Sequence, residues 1–426
     1  MKSVKSLVLK LLRYMVFILG RFVYYAKYMV SLFHIAKVKR RVFKKSKDNK
    51  VMNVVFIIQY VPSWNKLEPI YQKMKEDGRF HPFIVCVPMN VENHLLKDSK
   101  NEAFQYFTER GYEVINALDE KNNWFDLKLL EPDYVFHSRP YNYTMPKCYT
   151  SDEIVKYALI CNILYGACIT SNALNTVLNQ DYFKNVYQYY AFEKMEQSFY
   201  VERFRLGFLL KIQKCSPIGK TSLESIINAK TEQSDIKHPF TILWTPRWST
   251  DEYLGGSNFF KYKDSIFEIS EDNPAVNFII RPHPLMFGNY IKTGEMSEKE
   301  VSLFRKKCTE SRNLYLDEKK EYTDTFWGSD ALITDSSGII PEYFVTEKPI
   351  LFCTNTTKNT FTQWAQSMMD TCYQVNDKSD LLSKVNEIIN GHDDMKQKRK
   401  AVIHVLFGNF EKSTELIVDS LYEVGK

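Results

Sequence analysis

Short apolar runs of strand length alternate along this chain with longer stripes of helical spacing, and turn-forming residues separate them. Val51 to Ile58 reads as a buried strand, followed by the turn Pro62-Ser63-Trp64-Asn65 and a helix over Leu67 to Met74 that ends near Gly78. His81 to Val87 is a second strand, and Glu102 to Glu109 is a helix before Gly111. Pro132 to His137 is a third strand that runs into Ser138-Arg139-Pro140-Tyr141, and Tyr157 to Leu164 is apolar enough for a fourth, ending in Tyr165-Gly166. Lys194 to Leu210 has a helical pattern. Thr241 to Trp244, Asn277 to Ile280, Ala331 to Thr334 and Ile350 to Cys353 are further buried strands. Leu381 to Ile389 and Met395 to Tyr422 read as terminal helices. Strands alternating with helices at this spacing predict parallel sheets.

The first 38 residues follow another rule. Cations at 2, 5, 10, 13, 21, 27 and 37 fall within an arc of about 200° on a helix, leaving a wide apolar face. Val4, Leu7, Leu11, Met15, Ile18, Phe22 and Met29 line that face. The charge-free runs are too short for a transmembrane helix, and no small-residue cleavage site marks a signal peptide. A helix lying in the interface of an anionic membrane is expected, followed by the basic tract Lys37 to Lys45. The alternative is a helix docked on the protein body.

Charge divides the same way. Residues 1–50 hold 14 Lys and Arg against the single acid Asp48, while the rest of the chain holds 43 against 50. The body is mildly acidic, which argues against a nucleic-acid partner, and the arm is expected to be removable without unfolding it. At 426 residues the chain suits two domains with additions, and eight cysteines without a CxxC pair suit reduced, buried thiols in a cytoplasmic protein. The expected divisions are a membrane arm over 1–50, one Rossmann-like domain over 51–215, a second over 216–385, and terminal helices over 386–426. The Gly-rich dinucleotide fingerprint is absent, which excludes NAD and FAD, and the lack of an Asp-x-Asp pair predicts no obligatory metal and no cofactor.

Candidate chemistry sits at strand ends. Ala331 to Thr334 leads into Asp335-Ser336-Ser337-Gly338 and a helix, a turn whose hydroxyls and free amides favour an anion, though an ordinary capped helix start has the same composition. Asn277 to Ile280 leads into Arg281-Pro282-His283-Pro284, where two prolines stiffen the placement of a cation and of a group that can donate a proton or a hydrogen bond. Thr241 to Trp244 leads into Thr245-Pro246-Arg247-Trp248. Glu342 falls on the polar side of the helix after Gly338, where it either meets ribose hydroxyls or simply faces solvent.

RPHP after a strand, SDALITDSSGIIPEYFVTEKPILF, and ILWTPRW upstream together resemble the CDP-glycerol glycerophosphotransferase family of teichoic-acid enzymes. That resemblance, spanning roughly residues 51–385, implies an α/β GT-B fold of two Rossmann-like domains at the inner face of a bacterial membrane. It implies transfer of glycerol phosphate from a CDP-activated donor to an acceptor hydroxyl on a polymer or lipid-linked precursor, with release of CMP. It carries a catalytic role to His283, assisted by Arg281, and phosphate binding to Ser336, Ser337 and the amides about Gly338. Where many members have Trp-His-Gly, with that His as the proposed base, this chain has Leu164-Tyr165-Gly166. His137 is the substitute to consider. A nucleotide-sugar glycosyltransferase and a non-catalytic subunit of the same fold remain the alternatives.

Overall fold

In the computed structural model, the strands gather into two wholly parallel sheets. The structure describes residues 2–89, 101–230, 238–253, 256–354, 360–408 and 410–422, with the side chains of 2–13 and 17 excluded. The first sheet contains β1 (Met52–Ile58), β2 (Phe80–Cys86), β3 (Val114–Asn116), β4 (Tyr134–His137), β5 (Leu159–Ile163), β6 (Val186–Tyr190) and β7 (Lys214–Ser216), in the order β3-β2-β1-β4-β5-β6-β7. The second contains β8 (Thr241–Thr245), β9 (Asn277–Ile280), β10 (Leu314–Leu316), β11 (Ala331–Thr334), β12 (Ile350–Cys353) and β13 (Tyr373–Val375), in the order β10-β9-β8-β11-β12-β13. Each sheet winds outward in both directions from its first strand. Val55 in β1 lies between Phe83 and Val135, as Leu243 in β8 lies between Ile279 and Leu332. Such a reversal opens a crevice beyond the carboxyl ends of the strands, so each sheet supplies one wall of a cleft. Two Rossmann-like sheets set in this way make the GT-B fold.

The strands form where side chains are buried on both faces. All of β4, β5, β6, β8, β11 and β12 is buried, so continuous Val, Ile, Leu and Tyr replace alternation. The last helix, Ser413–Tyr422, leaves the second half and returns to the first. Its Ile417, Val418 and Leu421 enter the first core, and Tyr134 donates to the Leu421 carbonyl at 2.7 Å.

The N-terminal helix, Lys2–Lys47, does two things at once. Tyr28, Leu32, Ile35, Val38 and Val42 recur at helical spacing and are buried in the core of the first sheet. Polar contacts fix the same stretch: Tyr28 donates to Gln213 Oε1 at 2.6 Å, Ser31 to Asn185 Oδ1 at 2.6 Å, and Lys45 is ion-paired with Asp133. Gly207 is required at this seat, since a Cβ there would stand 2.7 Å from the Tyr28 hydroxyl and 2.1 Å from Gln213 Oε1. Before Tyr28, the described side chains are exposed or, at Tyr24, half-buried. Met15, Ile18, Phe22 and Met29 are 48–73% exposed; Val4, Leu7 and Leu11 lie outside the described side chains. By length and composition, Tyr14–Lys47 could cross a membrane, but from Tyr28 onward it is committed to the protein.

The arm is therefore not separable at residue 50. Burying five large apolar side chains is worth roughly 10 kcal/mol at about 1.5–3 kcal/mol each. Removing residues 1–50 is expected to expose the first core and cause aggregation or a large drop in melting temperature. Removing only residues 1–22 is expected to leave the melting temperature within a few degrees. Equal stability of the two truncations in a thermal melt would contradict this packing.

Candidate active site

Six strand ends converge on the cleft. From the first sheet come Tyr60 and the 3₁₀ turn Val61–Lys66 after β1, Ser138 to Tyr141 after β4, and Tyr165-Gly166 after β5. From the second come Pro246-Arg247 after β8, Arg281 to Pro284 after β9, and Asp335 to Gly338 after β11. A cavity of about 180 Å³ is lined by Lys66, Tyr165, Gly166, Arg247, Arg281, His283, Tyr322, Ser337, Gly338 and Glu342. A neighbouring cavity of about 390 Å³ shares Tyr60, Arg281 and His283, so the proline-stiffened turn forms the wall between the two.

His283 is half-buried, and its Nδ1 accepts the Leu285 backbone N–H at 3.2 Å. Burial and the neighbouring Arg247 charge push its pKa from 6.5 down to about 3. The ring is neutral at pH 7, and with Nδ1 accepting, its proton is on Nε2. His283 thus offers the cleft a neutral N–H donor. Arg281 is ion-paired with Asp317 at 2.5 Å and donates to the Lys319 carbonyl at 2.6 Å, while its guanidinium lies over the Tyr322 ring at 5.6 Å. Its charge is shared with Asp317 before any ligand arrives.

The turn after β11 divides by residue. Ser337 and Gly338 face the cavity. Ser336 is buried, and its carbonyl is held by the Arg247 guanidinium. Asp335 is buried too, and its carboxylate is filled from within the protein: the Arg247 N–H at 2.9 Å, the Asn258 N–H at 3.2 Å and Asn258 Nδ2 at 2.8 Å all donate to it. Burial raises its pKa, and these donors work against the rise. Asp335 and Ser336 therefore brace the turn; they do not line the cavity. A Cβ on Gly338 would approach the Ala167 carbonyl to 3.2 Å, which keeps this position bare where the two sheets' turns meet.

Glu342 does not face solvent. It is buried and paired across the cleft with Lys66 at 2.8 Å, and Tyr322 donates to its other oxygen at 2.5 Å. The Tyr322 oxygen also accepts from Asn65 Nδ2 at 2.7 Å and from Lys66 Nζ at 2.8 Å. Every hydrogen-bonding position of that hydroxyl is used. Lys66 and Tyr322 were invisible as site residues in the sequence: one lies between the turn Pro62 to Asn65 and the helix from Leu67, the other in the charged stretch Glu318 to Asp324.

His137 is not in the cleft. Its ring is buried beside Tyr182, and among the described residues nothing hydrogen-bonds its Nε2. Burial lowers its pKa from 6.5 to about 3. The unfolded chain takes up this proton near pH 6.5 and the folded chain only near pH 3, so His137 costs stability as pH falls below 6.5, by up to about 1.4 kcal/mol per pH unit. His137→Phe is expected to flatten the wild-type fall in urea midpoint between pH 6.5 and 4.5; parallel curves would show that the ring titrates in the folded state.

Residues 220–419 match the CDP-glycerol:poly(glycerophosphate) glycerophosphotransferase family model. This part of the chain is similar to that family. The matched span holds every second-sheet residue of the cleft. A comparison with curated proteins finds no match. Among solved structures, the chain is similar to the UDP-GlcNAc 2-epimerase of Neisseria meningitidis, with a TM-score of 0.58 and 12% identity over 87% of this chain and 99% of that one. A putative UDP-N-acetylglucosamine 2-epimerase of Listeria monocytogenes aligns with a TM-score of 0.55 and 11% identity over 88% and 98%. These likenesses reflect the shared two-sheet fold. The wall teichoic acid polymerase TagF aligns over 94% and 97% at 12% identity, with a TM-score of 0.49.

Proposed function

We propose that this transferase moves a polyol-phosphate unit, glycerol phosphate in the first instance, from a CDP-activated donor to an acceptor hydroxyl and releases CMP. The second half is the donor side and the first half the acceptor side. The observation that carries the reading is convergence: the Ser337-Gly338 turn, Arg247, Arg281 and His283 leave three separate strands and line one cavity. In the reaction the acceptor oxygen bonds to the glycerol-bearing phosphorus and gives up its proton to solvent, the bond from that phosphorus to the bridging oxygen breaks, and CMP leaves with the electron pair. The transition state of such transfers is loose, so positioning and charge stabilisation do most of the work. The amides after Ser337 and the His283 Nε2–H are suited to hold phosphate oxygens as charge grows on the leaving group.

Ser337→Ala is expected to weaken CDP-glycerol binding about tenfold or more, since a hydrogen bond to a charged phosphate is worth about 1.5–3 kcal/mol. Calorimetric titration of the full chain reads this directly, and unchanged affinity would make the turn an ordinary helix start.

The exposed apolar face of the N-terminal helix and the arm's positive charge support attachment to the cytoplasmic face of an anionic membrane, which would bring a lipid-linked or polymeric acceptor within reach. Sedimentation with phosphatidylglycerol vesicles is expected to lose the chain when residues 1–22 are removed. Equal sedimentation would put the anchor elsewhere.

A further inference from the structure

Arg281 does not meet the donor-side cavity with its whole charge. β9 and β10 run in register, Ile280 beside Leu316, so Asp317 follows β10 where Arg281 follows β9. The Asp317 N–H donates to the Ile280 carbonyl at 2.8 Å, which continues the ladder into the two turns. Asp317 Oδ2 accepts from Arg281 Nη1 at 2.5 Å and from Thr325 Oγ1 at 2.7 Å, and its Oδ1 accepts the Lys319 N–H at 3.1 Å. The Lys319 carbonyl then takes Arg281 Nη2 at 2.6 Å. Two of the five guanidinium N–H groups are thereby committed to the loop after β10, and three remain. Arg281 lines both cavities, whereas Asp317 lines only the larger one. From the donor side, the carboxylate stands behind the cation. Both side chains are nearly buried, 12% and 10% exposed, so salt screens the pair little.

We propose that Asp317 governs product release: it holds part of the Arg281 charge and so keeps the guanidinium from binding the CMP phosphate tightly. This role rests on the transferase reading and deepens it by naming the residue that sets affinity for the product. Each phosphate of the donor's diphosphate bridge carries about one negative charge, while the phosphate monoester of CMP carries about −1.5 to −2. Charge on the leaving phosphate therefore grows as its bond breaks, and it stays after the reaction is over. A bare guanidinium, suited to two phosphate oxygens at once, would hold the product more tightly than the donor. With Asp317 behind it, Arg281 still orients a phosphate through its remaining N–H groups, but the pair carries no net charge. Thr325 acts on the same oxygen: its hydroxyl takes a share of Oδ2 and leaves less of it to Arg281. Asp317 touches no substrate in this arrangement and is a positioning residue.

The test compares the wild type, Asp317→Asn and Thr325→Val as full chains. Calorimetric titration reads CMP affinity, and CMP release from CDP-glycerol reads turnover. Asp317→Asn keeps an acceptor for Arg281 and removes the charge. It is expected to melt earlier when empty, to bind CMP about tenfold or more tightly, and to gain more in melting temperature from saturating CMP than the wild type does. Its kcat should fall together with KM, because release of the product becomes slower. Thr325→Val should move CMP affinity the other way, weakening it about two- to threefold, since Oδ2 is then left to Arg281 alone. In the double variant Asp317→Asn/Arg281→Gln the tightening should vanish. A purely structural role predicts weaker CMP binding in both single variants. Unchanged or weaker CMP binding in Asp317→Asn, a tightening that survives the loss of Arg281, or a Thr325→Val chain that binds CMP as tightly as the wild type would each overturn the proposal. If Asp317→Asn does not fold, Thr325→Val decides alone. If the wild type binds CMP but does not turn over CDP-glycerol, the transferase reading fails and the CMP affinities still decide the role of Asp317. Normal turnover with unmoved CMP affinities sinks that role alone, and a wild type that binds no CMP sinks both.

Discussion

His283→Ala is expected to reduce CDP-glycerol turnover by about 100- to 1000-fold while changing donor affinity only a few-fold. The ring is neutral, its Nδ1 is occupied by the Leu285 N–H, and its remaining N–H is a fixed donor on the wall between the two cavities. A donor fixed in this way acts on charge that appears only as the bond to CMP breaks, so its loss falls on kcat and spares binding. The depressed pKa, about 3, has a sign that can be checked. Below that pH the ring would be cationic, and above it neutral, so no inflection near pH 6.5 in kcat/KM belongs to this residue in the free enzyme. His283→Gln, which keeps an N–H donor, should recover part of the rate. Steady-state CMP release measures all three, and an alanine variant as fast as the wild type would remove His283 from the chemistry.

Much of this cleft could be read along the chain, and the unread part has a common cause. The Ala331–Thr334 and Ile350–Cys353 strands are buried on both faces, Asn277–Ile280 is buried on one face and half-buried on the other, and all three are flanked by prolines, serines or glycine, so their run lengths alone mark them. β6 reads Val-Tyr-Gln-Tyr-Tyr and looks like polar loop, yet it is fully buried, and two of its three tyrosine hydroxyls find partners, Glu196 for Tyr189 and Ser420 for Tyr190. β3, β7, β10 and β13 are three residues long, too short to show a period. At the site, Arg247, Arg281, His283, Ser337 and Gly338 share a cavity because all follow strands of one sheet, a rule visible in sequence. Glu342 was legible as polar but not as buried, since only the arrival of Lys66 from 276 positions earlier makes burial tolerable. The arm shows the same limit: charge spacing identifies its bare face, while its docked face needed the groove beside Gly207.

Breaking the Lys66–Glu342 pair is the second large effect expected. Both side chains are nearly inaccessible, 6% and 3% exposed, and removing one partner leaves an uncompensated charge in a dry site. Lys66→Met or Glu342→Gln alone should therefore cost about 3–5 kcal/mol. The double variant removes both charges and should recover most of that loss, as measured by denaturant midpoints in a double-mutant cycle. The pair spans the cleft, so the single variants should also swell the particle in small-angle scattering. Singles costing under about 1 kcal/mol, or a double variant no better than the worse single, would mean that the pair does not hold the halves together.

The central claim is that one interdomain cavity binds a CDP-activated polyol and drives out CMP. Phosphorus NMR of the purified full chain, incubated with CDP-glycerol and membranes of the organism that encodes it, tests this most directly. The account predicts loss of the diphosphate resonances together with growth of CMP and of a new phosphodiester signal, both absent with Ser337→Ala/His283→Ala. Persistence of CDP-glycerol alongside release of UDP from a UDP-sugar under the same conditions would contradict it.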